Sequence, residues 1–206
     1  MEQHKWRDDT RQLAIAPRLW LWWTLAPTIA GAIVGALEAS GFFQLVATIF
    51  FTGLLIGAAQ WLVLRQYIPK AFWWIVVSTQ GWTFGLALVS SFITPLFDPL
   101  IQFLSTLGAW PVFWSNLVTQ PIVLAIFGTA QFPILTRFVR KAEWWILVSA
   151  LGGALDGASS STVAYILQSG LLPAPLPTAL GYGAGWLSYG IVTGICLQWL
   201  LRHHPR

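Results

Sequence analysis

A chain of 206 residues that is 56% hydrophobic and only 9% charged cannot cover a water-facing surface, since soluble domains carry about 25% charge. Length admits one or two domains, and composition assigns them to a lipid bilayer. The formal net charge of +4 comes from basic residues set in ones to threes beside apolar stretches, a pattern that excludes a nucleic-acid patch and fits membrane orientation.

Residues 1–17 read as a polar cytoplasmic tail with Lys5, Arg7 and Arg11 among Glu2, Asp8 and Asp9, and Trp6 is placed to anchor an interfacial helix. No apolar core begins before Leu19, so a cleavable signal peptide is not expected. Crossing the hydrocarbon layer as a helix takes about 20 apolar residues. Six stretches qualify, at 18–38, 42–64, 71–94, 111–135, 144–168 and 179–201. They predict an all-α transmembrane domain over 18–201, followed by a short cytoplasmic tail, 202–206. Pro27, Pro121 and Pro133 fall inside spans, where kinks rather than ends are expected.

All eleven Lys and Arg lie in the two tails, at Arg18 where the first span begins, in the 65–70 turn or in the 136–143 turn. With six spans these segments share one side, so the positive-inside rule puts both termini in the cytoplasm. Of the outer connections, Ser40-Gly41 reads as a tight turn. Pro95–Trp110, with Asp98, Gln102 and Ser105, reads as an interfacial amphipathic helix, and Ser169–Thr178 as an extended Pro-rich loop. Such loops could cap a cavity or simply cover the interface. Gly31/Gly35, Gly53/Gly57, Gly81/Gly85, Gly181/Gly185 and Gly190/Gly194 have the spacing that lets membrane helices approach closely.

The segment Gly57–Gly81, GAAQWLVLRQYIPKAFWWIVVSTQG, returns at Gly128–Gly152 as GTAQFPILTRFVRKAEWWILVSALG, identical at 12 of 25 positions. Each copy is the end of one helix, a basic turn and the start of the next. Gln198-Trp199-Leu200-Leu201-Arg202 echoes the first half near one end of the chain, and Trp22-Trp23 the second half near the other. The pattern predicts three helical hairpins, 1–2, 3–4 and 5–6, in a pseudo-threefold parallel repeat. Parallel repeats weigh against the inverted-repeat transporter architecture without excluding transport.

GAAQWLVLR followed by a WW-containing helix resembles a family of multipass membrane proteins common in cyanobacteria and related bacteria, some of which carry similar segments after serine/threonine kinase domains. The resemblance covers Gly57–Gly81 and its echoes; the second copy departs at Phe132, Pro133 and Thr136. It implies a membrane module from a bacterial source and brings no established activity with it. The chain itself has no Gly-rich loop before a Lys, no HRD and no DFG.

Asp156 is the sharpest single residue. Twelve positions beyond Trp144, it sits about 18 Å into the membrane at 1.5 Å per residue. With Ser159 and Ser160 beside it, the site reads either as an ion, proton or polar-ligand position or as a protonated carboxyl tied to a neighbouring helix. Gln60, Gln131 and Gln198 lie one turn inside the cytoplasmic boundary, as interhelical ties or as amides lining a vestibule. Trp20, Trp22, Trp23, Trp61, Trp73, Trp74, Trp144, Trp145 and Trp199 read as one interfacial belt and Trp110 and Trp114 as the other, leaving Trp82 and Trp186 to face a ligand or a neighbour.

Catalytic inventories fail. His4, His203 and His204 all lie in the tails, no second midplane aspartate exists, and no His, Cys or carboxylate cluster has metal-ligand spacing. Cys196, the lone cysteine, excludes an internal disulfide and reads as a packing residue. The expected function is therefore non-enzymatic: a scaffold or accessory subunit in a larger membrane complex of a bacterial inner or thylakoid membrane. The alternative is a small transporter or substrate-binding component with its polar site at Asp156. Lipid, other membrane proteins and a bound lipid or pigment are the conceivable partners; no cofactor is specified.

Overall fold

The fold comes from a computed structural model, which describes residues 18–41, 45–68, 71–167 and 172–205, with 45–48 described by backbone alone. The N-terminal tail read from 1–17, Lys70 and part of the 169–178 connection lie outside the described residues. Regular structure among the described residues is helical: α1 (Leu19–Ala39), α2 (Leu45–Leu64), α3 (Trp73–Leu88), a π-helical turn (Val89–Ile93), α4 (Thr94–Ser105), α5 (Pro111–Leu135), α6 (Trp144–Leu167) and α7 (Leu176–His203). Four runs are long and apolar enough to cross a membrane, namely Leu19–Ala39, Trp73–Ser105, Pro111–Leu135 and Leu176–His203. In α2 the described apolar stretch, Ile49–Leu64, is shorter. In α6, Asp156 and the Ser159–Ser161 run dilute the apolar character.

Prolines act according to position. Pro111 and Pro177 sit in the first turns of α5 and α7, where a helix has no use for their missing N–H. Pro27, Pro121 and Pro133 lie inside α1 and α5, which continue through them. The 95–110 connection differs from its expected form. Its helix, α4, is not a separate segment but the continuation of α3 through the π turn, giving a 33-residue helical run. The widened turn falls just before Pro95, whose ring and missing N–H disturb the regular i→i−4 ladder. The expected amphipathicity is there: Ile101 is buried in a helix that packs on α5, while Gln102 Nε2 donates to Asp98 Oδ2 at 2.6 Å on an exposed face.

The helices form a closed ring. α1 packs on α2, α2 on α3, α3 on α5, α5 on α6, α6 on α7, and α7 returns to α1. The spaced glycines sit at these seams, and the structure identifies the partner of each pair. Gly31 and Gly35 meet α7, Gly53 and Gly57 meet α3, Gly81 and Gly85 meet α5, Gly181 and Gly185 meet α6, and Gly190 and Gly194 meet α1. Lipid is as apolar as a leucine side chain, so close backbone approach and hydrogen bonding must supply what burial supplies in water.

Aromatic rings fill the interior in two layers. Trp23, Trp74 and Trp145 are fully buried and meet edge-to-face, each pair with centroids 5.8–5.9 Å apart. Farther in, Trp82, Phe127, Trp186 and Tyr189 form a second cluster, with Trp82 and Trp186 at 5.4 Å and Phe127 touching both. The second tryptophan of each pair therefore lies in the interior and not in a belt. Trp22, Trp73 and Trp144 are 57%, 61% and 48% exposed, whereas the residue following each is 0% exposed. One residue along a helix turns the side chain by about 100°, enough to separate a lipid-facing ring from an axial one. Trp82 and Trp186 likewise pack on each other.

At the basic end, the chain's last described residues return to the second turn. Arg140 N–H donates to the His204 carbonyl at 2.6 Å, and Val139 bridges to Pro205. Desolvation and the nearby charges of Lys141, His203 and Arg140 hold the His204 imidazole below its ordinary value.

The seams make a graded prediction. A Cβ at Gly153 would stand 2.6 Å from the Gln120 carbonyl oxygen, which is backbone of α5 and cannot rotate away, whereas one at Gly183 would meet nothing nearer than 3.4 Å. Gly153→Ala should lower the thermal midpoint in mild detergent by several degrees, and Gly183→Ala should leave it within about 1 °C, since the loss scales with how far the seam must open.

Candidate functional site

The repeated segment builds a polar cluster just beneath the tryptophan layer. Each copy places its Gln fourteen residues before its second Trp, on the helix preceding the basic turn, so that the two side chains face each other across the corner. Trp74 Nε1 donates to Gln60 Oε1 at 2.9 Å, and Trp145 Nε1 donates to Gln131 Oε1 at the same distance. The copies are then joined: Gln131 Nε2 donates to Ser78 Oγ at 2.8 Å and to Gln60 Oε1 at 3.2 Å. All of these residues are 0% exposed. Gln60 and Gln131 are interior ties; no vestibule opens at either.

Gln198 is placed differently. It is half-buried, and its Oε1 accepts from the Trp20 backbone N–H at 3.3 Å. Thr193 occupies the position that the echo assigned to Gln198: its hydroxyl accepts from Trp23 Nε1 at 3.1 Å and donates to the Tyr189 carbonyl at 2.7 Å. The spacing Gly57-x-x-Gln60 and Gly128-x-x-Gln131 continues as Gly190-x-x-Thr193, and Gly190 rests on Thr24 as Gly57 rests on Ile75, each the residue after the buried Trp. That glycine spacing was the available signal; the Gln-Trp-Leu match five residues later points to the wrong turn of α7.

Asp156 is 5% exposed on α6, and its Oδ1 lies against Gly185 of α7, where any larger residue would displace it. Ser160 shares that seam: its Cβ abuts Gly185 and its carbonyl abuts Gly181. Ser159 points to the same helix, donating to the Leu155 carbonyl at 2.6 Å and the Ala184 carbonyl at 3.2 Å, and its oxygen accepts from Ser188 Oγ at 2.9 Å. The three predicted residues thus fall on one helix–helix seam, Asp156 and Ser160 against Gly185 and Ser159 against Ala184 and Ser188. Tyr182, one turn from Gly185, reaches the other way and donates to Glu38 Oε2 at 2.5 Å. Glu38 is the last residue of the first predicted span, and it is half-buried.

Asp156 does not line the groove on the outer surface of the ring. That groove, about 420 Å³, runs along α2 and α3 and is lined by Phe50, Thr79, Gln80, Thr83, Phe84 and Ala87. Among the described residues no three His, Cys, Asp or Glu side chains are grouped to hold a metal. No protein-family description, curated protein or solved structure matches the chain.

The unequal roles of the glutamines are measurable. Gln131→Leu removes the acceptor of a fully buried Trp145 Nε1 and two further bonds, and should destabilise the fold by about 1–3 kcal/mol. Gln198→Leu removes one bond at a half-buried site and should cost less than about 1 kcal/mol. Reversible denaturation of both variants in one detergent gives the comparison.

Proposed function

We propose that this chain is a non-enzymatic integral membrane module, a scaffold or accessory subunit of a larger membrane complex. In this reading six helices, α1, α2, α3, α5, α6 and α7, cross the bilayer as three hairpins with pseudo-threefold symmetry, and both termini lie in the cytoplasm. The membrane is a bacterial inner membrane or a thylakoid, in keeping with the resemblance of the GAAQWLVLR and WW segments to cyanobacterial multipass proteins.

One observation carries the reading: the centre of the ring is filled. A transporter or a substrate-binding component requires a polar path or chamber near the midplane. Here Trp23, Trp74 and Trp145 meet on one level, and Trp82, Phe127, Trp186 and Tyr189 on the next. Asp156, the residue on which a transport reading depends, is enclosed between α6 and Gly185. The threefold element is supported by three equivalent buried tryptophans and by the shared glycine spacing before Gln60, Gln131 and Thr193. Function then resides on the outside, where α3, α4 and α6 present large apolar side chains such as Phe84, Leu96 and Leu147.

Native mass spectrometry of the chain released from its own membrane in mild detergent should find it bound to a second membrane protein at fixed stoichiometry. Recovery as a monomer that moves a solute when reconstituted would contradict the reading. For the six-span topology, Gln66→Cys and Leu100→Cys in a Cys196→Ala background should be labelled from opposite sides; both positions are exposed, so same-side labelling counts against it.

A further inference from the structure

The polar cluster beneath the tryptophans runs around the axis and is incomplete at one corner. Gln131 Nε2 donates to Ser78 Oγ of the preceding corner, and Tyr189 OH donates to Ser149 Oγ at 3.4 Å. Continuing the circuit would send Gln60 Nε2 to the residue four positions after Trp23, since Ser78 and Ser149 stand four positions after Trp74 and Trp145. That residue is Pro27, buried and without a hydroxyl. Thr193, in the glutamine's place, is too short to substitute, and its hydroxyl already donates to the Tyr189 carbonyl. Gln60 Nε2 has no hydrogen-bond partner, although Gln60 is 0% exposed.

Pro27 has a second consequence. Lacking an N–H, it deprives the Trp23 carbonyl, one turn earlier in α1, of its i+4 donor. The same corner therefore contributes a buried donor without a partner and a carbonyl that residue 27 cannot serve. Buried polar groups of this kind are satisfied by internal water when two to four partners converge, whereas apolar cavities stay dry.

We propose that Gln60 Nε2 and the Trp23 carbonyl hold a single internal water, which accepts from the amide and donates to the carbonyl. The placement of Pro27 opposite Gln60 rests on the threefold reading above. The third corner then closes through solvent where the other two close through side chains, and the water lies at the α1–α2 seam.

The test is nuclear magnetic resonance of the full chain in nanodiscs, with magnetisation transferred from water to the side-chain amides of Gln60 and Gln131. A water cross-peak is expected at Gln60 and none at Gln131, whose Nε2 is held by Ser78 and Gln60. Pro27→Ser supplies both the missing N–H and the missing hydroxyl. It should abolish the Gln60 cross-peak and raise the thermal midpoint by about 2–4 °C, more than Pro27→Ala, which supplies the N–H alone. Absence of a water signal at Gln60, equal signals at both amides, or a Gln60 signal that survives Pro27→Ser would overturn the proposal. Failure of the six-helix threefold reading shows separately, in the labelling of positions 66 and 100.

Discussion

Hydrocarbon offers no partner to a polar group, and that constraint shapes the core of this protein. An indole N–H and a side-chain amide placed in the interior must find each other or remain unpaired at a cost of about 1–3 kcal/mol. The hydrogen bonds from Trp74 to Gln60 and from Trp145 to Gln131 meet this requirement twice with the same fourteen-residue reach. Because each links the helix before a basic turn to the helix after it, it also sets the angle and depth of that corner. The tryptophan rings so positioned then meet on the axis at 5.8–5.9 Å, a distance at which edge-to-face pairs contribute about 0.5–1.5 kcal/mol each.

Much of this was legible in the residues. The membrane class, the helical content, the repeated corner and the glycine seams all follow from composition and spacing, because lipid enforces helices and close packing needs small residues. The inward turn of Trp74 and Trp145 was not legible in the same way. Periodicity states that adjacent tryptophans face different directions, but an interfacial belt and an axial cluster use the same residues at the same depth. The third corner misled for a different reason. Gln198-Trp199 carries the more conspicuous match, yet the register is set by backbone contact, Gly190 on Thr24, and glycine leaves little trace in a sequence with 18 of them.

Asp156 shows how burial alone can be read in two ways. A carboxyl near the midplane suggests an ion or proton site until its surroundings are known. Those surroundings are Gly185, Ser160 and the Ser159–Ser188 hydroxyl pair, which tie α6 to α7 over one continuous seam. Asp156 and Ser160 meet Gly185 and Ser159 meets Ser188, so the three side chains lie where two helices touch.

The two internal copies of the corner are held by the same interaction. Double-mutant cycles on Gln60/Trp74 and on Gln131/Trp145, with Gln→Leu and Trp→Phe and unfolding followed in one detergent, measure that interaction at each copy. Favourable coupling of about 1 kcal/mol or more is expected in both cycles, equal to within about 0.5 kcal/mol. Coupling near zero in either cycle, with the single variants fully additive, would contradict it.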